Sequence, residues 1–583
     1  MNRFRSLIVF LLAASCMCFG ALDRSAFTFT NYDLELRVDP AGQALAARGT
    51  VTLRNDSAQP QTLAAMQISS SLKWRLIQVG GKVVQFETQP YTSDIDHTGS
   101  VSEVIVTLPA AVPPRGTVRI EVGYSGTITA DATRLTRIGT PATIALNSDW
   151  DQISSSFTAV RGAGFVAWYP LEMEAASLSN GNALYDTLGA WKAREAQSEL
   201  RVNFCWINDD SPLTVVADGQ LEGIGRTGPS QEGQGLTGCT PYRFAPLGLT
   251  VPTFAIGNFA ALQQPLVTIY HLPEHGETAN DYAATVQRVA PVVAQWLGPP
   301  RGKLQIVELH KAEAASFESG GVFFTPLNSG NEKPLQLQMV HQLAHASLVS
   351  DRPWIYEGVA HFLQAVEREQ QDGRDAALQY MSGQLPPLIA AEQPLDDAGA
   401  KGQPPPAEAD SQSLINATDE VFYHTKAMYV WWMLRDMLGD QALQRALQAY
   451  LPGQDKEPSY MQRLLQAQSK QNLEWFFDDW VYRDRGLPDF QVESVYPRKL
   501  LAGEYVVTVT VKNSGEVRAE VPVLVRAPQG DMSHRLQVPA RGSAVVRVRL
   551  GALPTEAVVN DGSVPESDPN NNMLKITTPP QSP

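Results

Sequence analysis

Residues 339–362 read MVHQLAHASLVSDRPWIYEGVAHF, and this stretch decides how the chain is understood. His341 and His345 stand four apart. On a helix, positions i and i+4 share a face, so both imidazoles reach one ion. Ser350-Asp351-Arg352-Pro353 then interrupts the helix, because the residue before a proline is biased out of helix and proline itself suits a first helical turn. The segment from Trp354 starts a second helix with Glu357 near its N-terminus, where an antiparallel return brings the carboxylate back to the histidines. Two histidines and one carboxylate leave a fourth position open to water, the arrangement of a catalytic zinc site. A bare His-x-x-x-His also fits two polar residues on an ordinary helix face; the Trp-Ile-Tyr-Glu-Gly segment is what favours a metal. His361, farther along the second helix, reads as a packing histidine.

Outward from this centre, apolar residues keep helical spacing over 336–349, 354–372, 420–450 and 457–481. Upstream, Tyr282, Val286, Val289, Val293 and Trp296 give 278–297 the same period. Strands are expected at 267–272, 304–309 and 321–325, and the Pro- and Asp-containing stretch 396–418 is expected to be a solvated loop. Residues 25 to 265 alternate apolar and polar side chains, as in Tyr32-Asp-Leu-Glu-Leu-Arg-Val38, and predict β-sheets with one buried face. Alternation returns at 504–513, 521–526 and 544–550, which predicts a C-terminal Ig-like β-sandwich. The expected class is multidomain α+β, divided at 21–265, 266–490 and 491–578.

The first twenty residues predict the compartment. Arg3 and Arg5 precede a short apolar run and small residues before Ala21, the pattern of a secretory signal. Ala13-Ala14-Ser15-Cys16 is similar to a lipobox but lacks the usual Leu three places before the cysteine, so anchoring at Cys16 is the lesser alternative to a secreted, periplasmic or envelope protein. No later stretch reaches about 18 uninterrupted apolar residues, so no membrane span is expected in the mature chain. Cys205 and Cys239 are the two cysteines outside the signal and suggest one disulfide, or else two unpaired thiols on neighbouring strands. Lys plus Arg is 46 and Asp plus Glu is 61, a net charge of −15 in 583 residues. That balance argues against a nucleic-acid partner, which needs a basic face.

The central segment resembles the zinc aminopeptidases of the aminopeptidase N type, a gluzincin family with H-E-x-x-H followed by Glu in a W-x-x-E-G-like segment. Tyr423-His424-Thr425-Lys426-Ala427 is similar to the family's Y-x-K-G helix. Ala315-Ser316-Phe317-Glu318-Ser319-Gly320-Gly321 resembles its G-A-M-E-N-x-G strand, and Trp475-Phe476-Phe477-Asp478-Asp479-Trp480-Val481 the segment that closes its catalytic domain. The resemblance covers roughly 25–490. It implies an N-terminal β-saddle or sandwich, a thermolysin-like, mainly helical zinc-peptidase domain, zinc held by His341, His345 and Glu357, and Glu318 binding the amine of a peptide or protein N-terminus.

Three departures limit what carries over. Gln342 stands where the family has its general-base Glu, and an amide cannot accept a proton at neutral pH. The interval from His345 to Glu357 is shorter than the family's by about two helical turns. The place of the oxyanion-stabilising Tyr is His424, with Tyr423 one residue earlier and rotated by about 100°. His424 is either a hydrogen-bond donor to an oxyanion or a polar helix-face residue. Three functions stay open: a zinc-binding protein with lost or strongly reduced hydrolysis, an active peptidase using another base such as Glu318 or Glu420, and a metal-free envelope scaffold. Separately, Asn560-Asp561-Gly562 with the acidic and amide residues of 565–572 is either an oxygen-rich calcium turn or a set of turn formers.

Overall fold

Apolar and polar residues alternate along strand Phe27–Asp39, burying Tyr32, Leu34, Leu36 and Val38 and exposing Asn31, Asp33 and Arg37. In this computed structural model, residues 22–576 are described apart from 182, 209–210, 230–234, 248–249, 329, 331, 393–412, 418, 484 and 501–502. The expected signal segment, with Cys16, and most of the expected loop at 396–418 lie outside the described residues. Strand Phe27–Asp39 pairs antiparallel with Ala44–Asn55 and parallel with Glu199–Asn208, inside a nine-stranded sheet. A separate three-stranded sheet joins Gln61–Ser69, Ser100–Val112 and Phe86–Thr92, and its buried residues share a core with the large sheet. Cys205 and Cys239 stand directly opposite on neighbouring antiparallel strands and form a disulfide with sulfurs 2.06 Å apart. The sheet-rich part also holds helices that alternation does not foresee, Thr133–Arg137, Ala142–Ser148 and Ala183–Arg194. The longest of them buries only Leu184 and Trp191, too thin a stripe to register as a helical period.

From Val267 the chain changes character. Val267–His271, Leu304–Glu308 and Val322–Thr325 run parallel in a five-stranded sheet, with helix Gly276–Leu297 crossing between the first two. Phe317–Ser319 is the edge strand, antiparallel to Val322–Thr325 through a tight turn at Gly320 with φ +60°. A side chain is disfavoured there, which suits glycine. Helices Glu332–Ser347 and Pro353–Asp372 follow and pack together. The expected helix 420–450 is divided into a π-helical turn Val421–Lys426 and helices Ala427–Leu438 and Asp440–Gln448, because Gly439 takes φ +79° and ends the run. Lys470, at φ +58°, similarly breaks the expected helix 457–481. No helix among the described residues is long and apolar enough to cross a membrane.

The last part pairs a three-stranded sheet (Phe490–Lys499, Tyr505–Asn513, Gly542–Leu550) with a four-stranded one (Met532–Val538, Ala519–Arg526, Glu556–Val559, Met573–Lys575). Its buried valines continue the core of the helical part without a gap. Arg374 ties the two together by pairing with both Asp436 and Asp561. In the turn 560–572 the carboxylates of Glu566 and Asp568 have partners, while Ser563 Oγ, Asn571 Oδ1 and Asn572 Oδ1 are buried without one. Glu566 accepts from Phe490 N, Asn560 Nδ2 and Asn572 Nδ2, and Asp568 accepts from Asn570 N. Through Glu566 these bonds tie the turn to strand Phe490–Lys499.

Candidate metal centre

The helix Glu332–Ser347 is buried along its whole C-terminal half, from Met339 to Ser347. Met339, Val340, Leu343 and Ala344 lie in the hydrophobic core and fix the helix rotation that turns His341 and His345 to one side. The next helix is held by Trp354, which stacks on Trp431 with ring centroids 5.0 Å apart and accepts at its carbonyl a 3.0 Å hydrogen bond from Trp431 Nε1. Gly358 lets the helix Ala427–Leu438 come close: a Cβ there would meet Ala427 Cβ at 2.6 Å. The Trp-x-x-Glu-Gly pattern thus has a packing reason, and it sets Glu357 against the histidines.

Glu318 arrives from the edge strand, and the sheet-rich part of the chain secures that strand. Ser319 Oγ accepts from Val251 N at 2.9 Å and lies 3.2 Å from Val251 O, to which it donates. Phe317 packs edge-on against Phe165 and under the Arg161 guanidinium. Tyr356 joins the two sides. Its ring stacks on His345 at 3.9 Å and its hydroxyl donates to Gly320 O at 3.2 Å.

One ligand atom each from Glu318, His341, His345 and Glu357 falls within 4.8 Å of the others, so this group can hold a metal ion. His341 Nε2 is 2.9 Å from Glu318 Oε1, 3.0 Å from His345 Nε2 and 3.6 Å from Glu357 Oε2. His345 Nε2 is 3.4 Å from each carboxylate. A tetrahedral ion with ligand distances of about 2.0–2.1 Å sets its donors about 3.3–3.4 Å apart, so these spacings fit one. Glu357 Oε2 is buried and makes no hydrogen bond, although it points at two imidazoles. An acceptor oriented in that way is suited to a cation and costly without one.

The electrostatics agree. Burial works against a charge on His345, but the carboxylates of Glu357 and Glu318 overcome it and raise the imidazole to about 10. Burial likewise opposes the charge of Glu318, and His341 and His345 hold its carboxyl well below the ordinary range. Glu357 is lowered for the same reason, chiefly by His345. Two anionic groups thus face two imidazoles at close range, a charge that a divalent cation would balance.

The other expected residues fall as follows. Gln342 lies beside the centre and donates its amide hydrogen to Glu318 Oε2. His424 places Nε2 3.7 Å from Glu357 Oε2. Tyr423 packs against the helical core, and burial raises its hydroxyl pKa. Both residues lie in the π-helical turn Val421–Lys426. Glu420 precedes that turn and is not in the converging group. Lys426 is buried and paired with Glu392.

His361, expected to pack, does pack against other rings, and it also stands close to the centre. Its ring lies 4.9 Å from that of His341 and 4.5 Å from that of His424, and one of its nitrogens clusters with Glu357 and His424. Burial and the neighbouring imidazoles hold it well below the usual histidine pKa. The signal was present in the sequence, because Glu357 and His361 are themselves an i, i+4 pair. Tyr356 was also missed, although it sits inside the quoted Trp-Ile-Tyr-Glu-Gly segment. No protein family matches the chain, and no curated protein gives a significant match.

Proposed function

We propose that the chain is a secreted, zinc-binding protein of the aminopeptidase N-like, gluzincin type whose peptide hydrolysis is lost or strongly reduced. His341, His345, Glu357 and Glu318 hold the zinc, a donor set of imidazole and carboxylate that suits this ion. The observation that carries the reading is the pairing of Gln342 with Glu318. The residue in the general-base position is an amide that donates a hydrogen bond, and its acceptor is itself a carboxylate of the centre. Zinc would supply Lewis acidity, but Gln342 cannot take a proton from an attacking water. Secretion is supported by the basic and apolar N-terminal segment and fits the Cys205–Cys239 disulfide.

Metal analysis and peptide assays test this. Near-stoichiometric zinc after reconstitution, little hydrolysis by the wild type, and a gain of about 10²–10⁴ in Gln342→Glu are expected. Failure to retain metal overturns the metal reading. Efficient wild-type hydrolysis that Gln342→Glu leaves unchanged overturns the loss of activity.

A second reading, an active peptidase with Glu318 as base, is favoured by one observation: the Glu318 side chain is 32% exposed against 17% for Glu357, so it is the carboxylate that faces outward. Glu318→Gln separates the two. A ligand's loss lowers zinc affinity, whereas a base's loss removes turnover and leaves zinc bound.

A further inference from the structure

The first group does not use all the donors at this centre. Glu318, His341, His345 and Glu357 already supply the four ligands of a tetrahedral ion. His361 and His424 remain, both directed at the same carboxylate. Each of the two packed helices carries an i, i+4 pair, His341 with His345 and Glu357 with His361, and the rings of His341 and His361 are 4.9 Å apart. The π-turn adds His424 from a third direction, its Nε2 3.7 Å from Glu357 Oε2 and its ring 4.5 Å from that of His361. His361 Nδ1 is buried and makes no hydrogen bond. Two imidazoles thus gather on one carboxylate, and the buried nitrogen of His361 is costly unless something satisfies it.

We propose that Glu357, His361 and His424, which bring one ligand atom each within 4.8 Å of one another, form a second divalent-metal site that shares the Glu357 carboxylate with the first. A carboxylate has two oxygens and can serve two ions about 3.5–4 Å apart, the spacing of two-metal centres. The two sites then differ in kind. The first already has four protein donors, so water reaches it only as a fifth ligand or by displacing Glu318, its more exposed carboxylate. The second has two imidazoles and a shared carboxylate, which leaves room for an outside oxygen ligand such as water, a carbonyl or a carboxylate. Imidazole-rich donor sets favour zinc, nickel or copper over magnesium or calcium. The inference rests on the reading of Glu357 as a ligand of the first ion.

The test is a metal count on the full mature protein, stripped with chelator and titrated with cobalt(II) or zinc, with bound metal measured by mass spectrometry and both positions sought by anomalous scattering. Two equivalents in the wild type, falling to one in His361→Ala and in His424→Ala, are expected. One equivalent in the wild type overturns the second site and leaves the first intact. No bound metal overturns the zinc reading as well. Two equivalents that persist in both variants overturn the assignment of these residues. The wild-type count decides by itself if either variant fails to fold.

Discussion

Gly358→Ala tests whether the metal centre depends on the close approach of two helices. A Cβ at Gly358 would stand 2.6 Å from Ala427 Cβ and 3.0 Å from Trp431 Nε1. Non-bonded carbons rest about 3.5–4.0 Å apart, so the helices must separate by about 1 Å. Overpacking of this kind costs about 1–3 kcal/mol. The same substitution gains about 1 kcal/mol of helix propensity, because alanine is the better helix former. The metal-free protein should therefore lose at most about 2 kcal/mol, and the damage should fall mainly on the site. Glu357 precedes Gly358 directly, and a ligand displaced by about 1 Å exceeds the tolerance of about 0.5 Å that functional geometry allows. Zinc affinity, measured by competition with a chromophoric chelator, should fall by at least about tenfold, comparable to the loss of an outer-shell partner. Urea unfolding of the metal-free protein gives the stability change in the same preparation. A variant that is more stable than the parent and binds zinc as tightly would show that the helix contact does not set the position of Glu357.

Other outcomes follow from the same contacts. Tyr356→Phe removes the hydroxyl that donates to Gly320 O and should cost about 0.5–1.5 kcal/mol by thermal unfolding, while keeping the ring on His345 and most of the zinc affinity; Tyr356→Ala should lower that affinity further. The metal-free protein should lose stability as pH rises from about 6.5, the unfolded value for histidine, through about 10, because His345 is raised in the fold and its charge is gained only below that point. His345→Asn should flatten that limb of a melting-temperature profile. Conversely, Glu318 is lowered in the fold, so its contribution is present above its unfolded value of about 4.3 and is lost as pH falls through its folded value. Reduction of Cys205–Cys239, separated by 34 residues, should destabilise the protein by about 3–4 kcal/mol in the chain-entropy account, read as a drop in the urea midpoint.

The parts of this molecule that were legible in the sequence are those encoded by short-range periods. Alternation along Phe27–Asp39 and the i, i+4 spacing of His341 and His345 need only local geometry to be read. The fourth donor needed more. Glu318 lies on a three-residue edge strand whose place depends on Ser319 reaching Val251, 68 positions away in sequence, and no local pattern carries that pairing. His361 was legible in principle, because its spacing from Glu357 repeats that of the histidine pair, but a histidine on a core-facing helix also reads as packing. The π-turn at Val421–Lys426 was hidden because its residues keep ordinary helical composition. The break at Gly439 was written in the sequence as a glycine after an apolar run, a common helix stop.

The hydrogen bonds between Ser319 and Val251 give the site a divided ownership. Three donors of the four-residue group belong to the helical pair, and the fourth stands on a strand tethered to the sheet-rich part of the chain. An ion bound by all four acts as a clasp, and its binding energy adds to the cohesion between two regions whose main cores are joined by a smaller shared cluster running from Trp150 and Val216 to Val307 and Phe324. Loaded protein should then melt at a higher temperature than stripped protein, so that calorimetry would detect metal occupancy without any assay of chemistry.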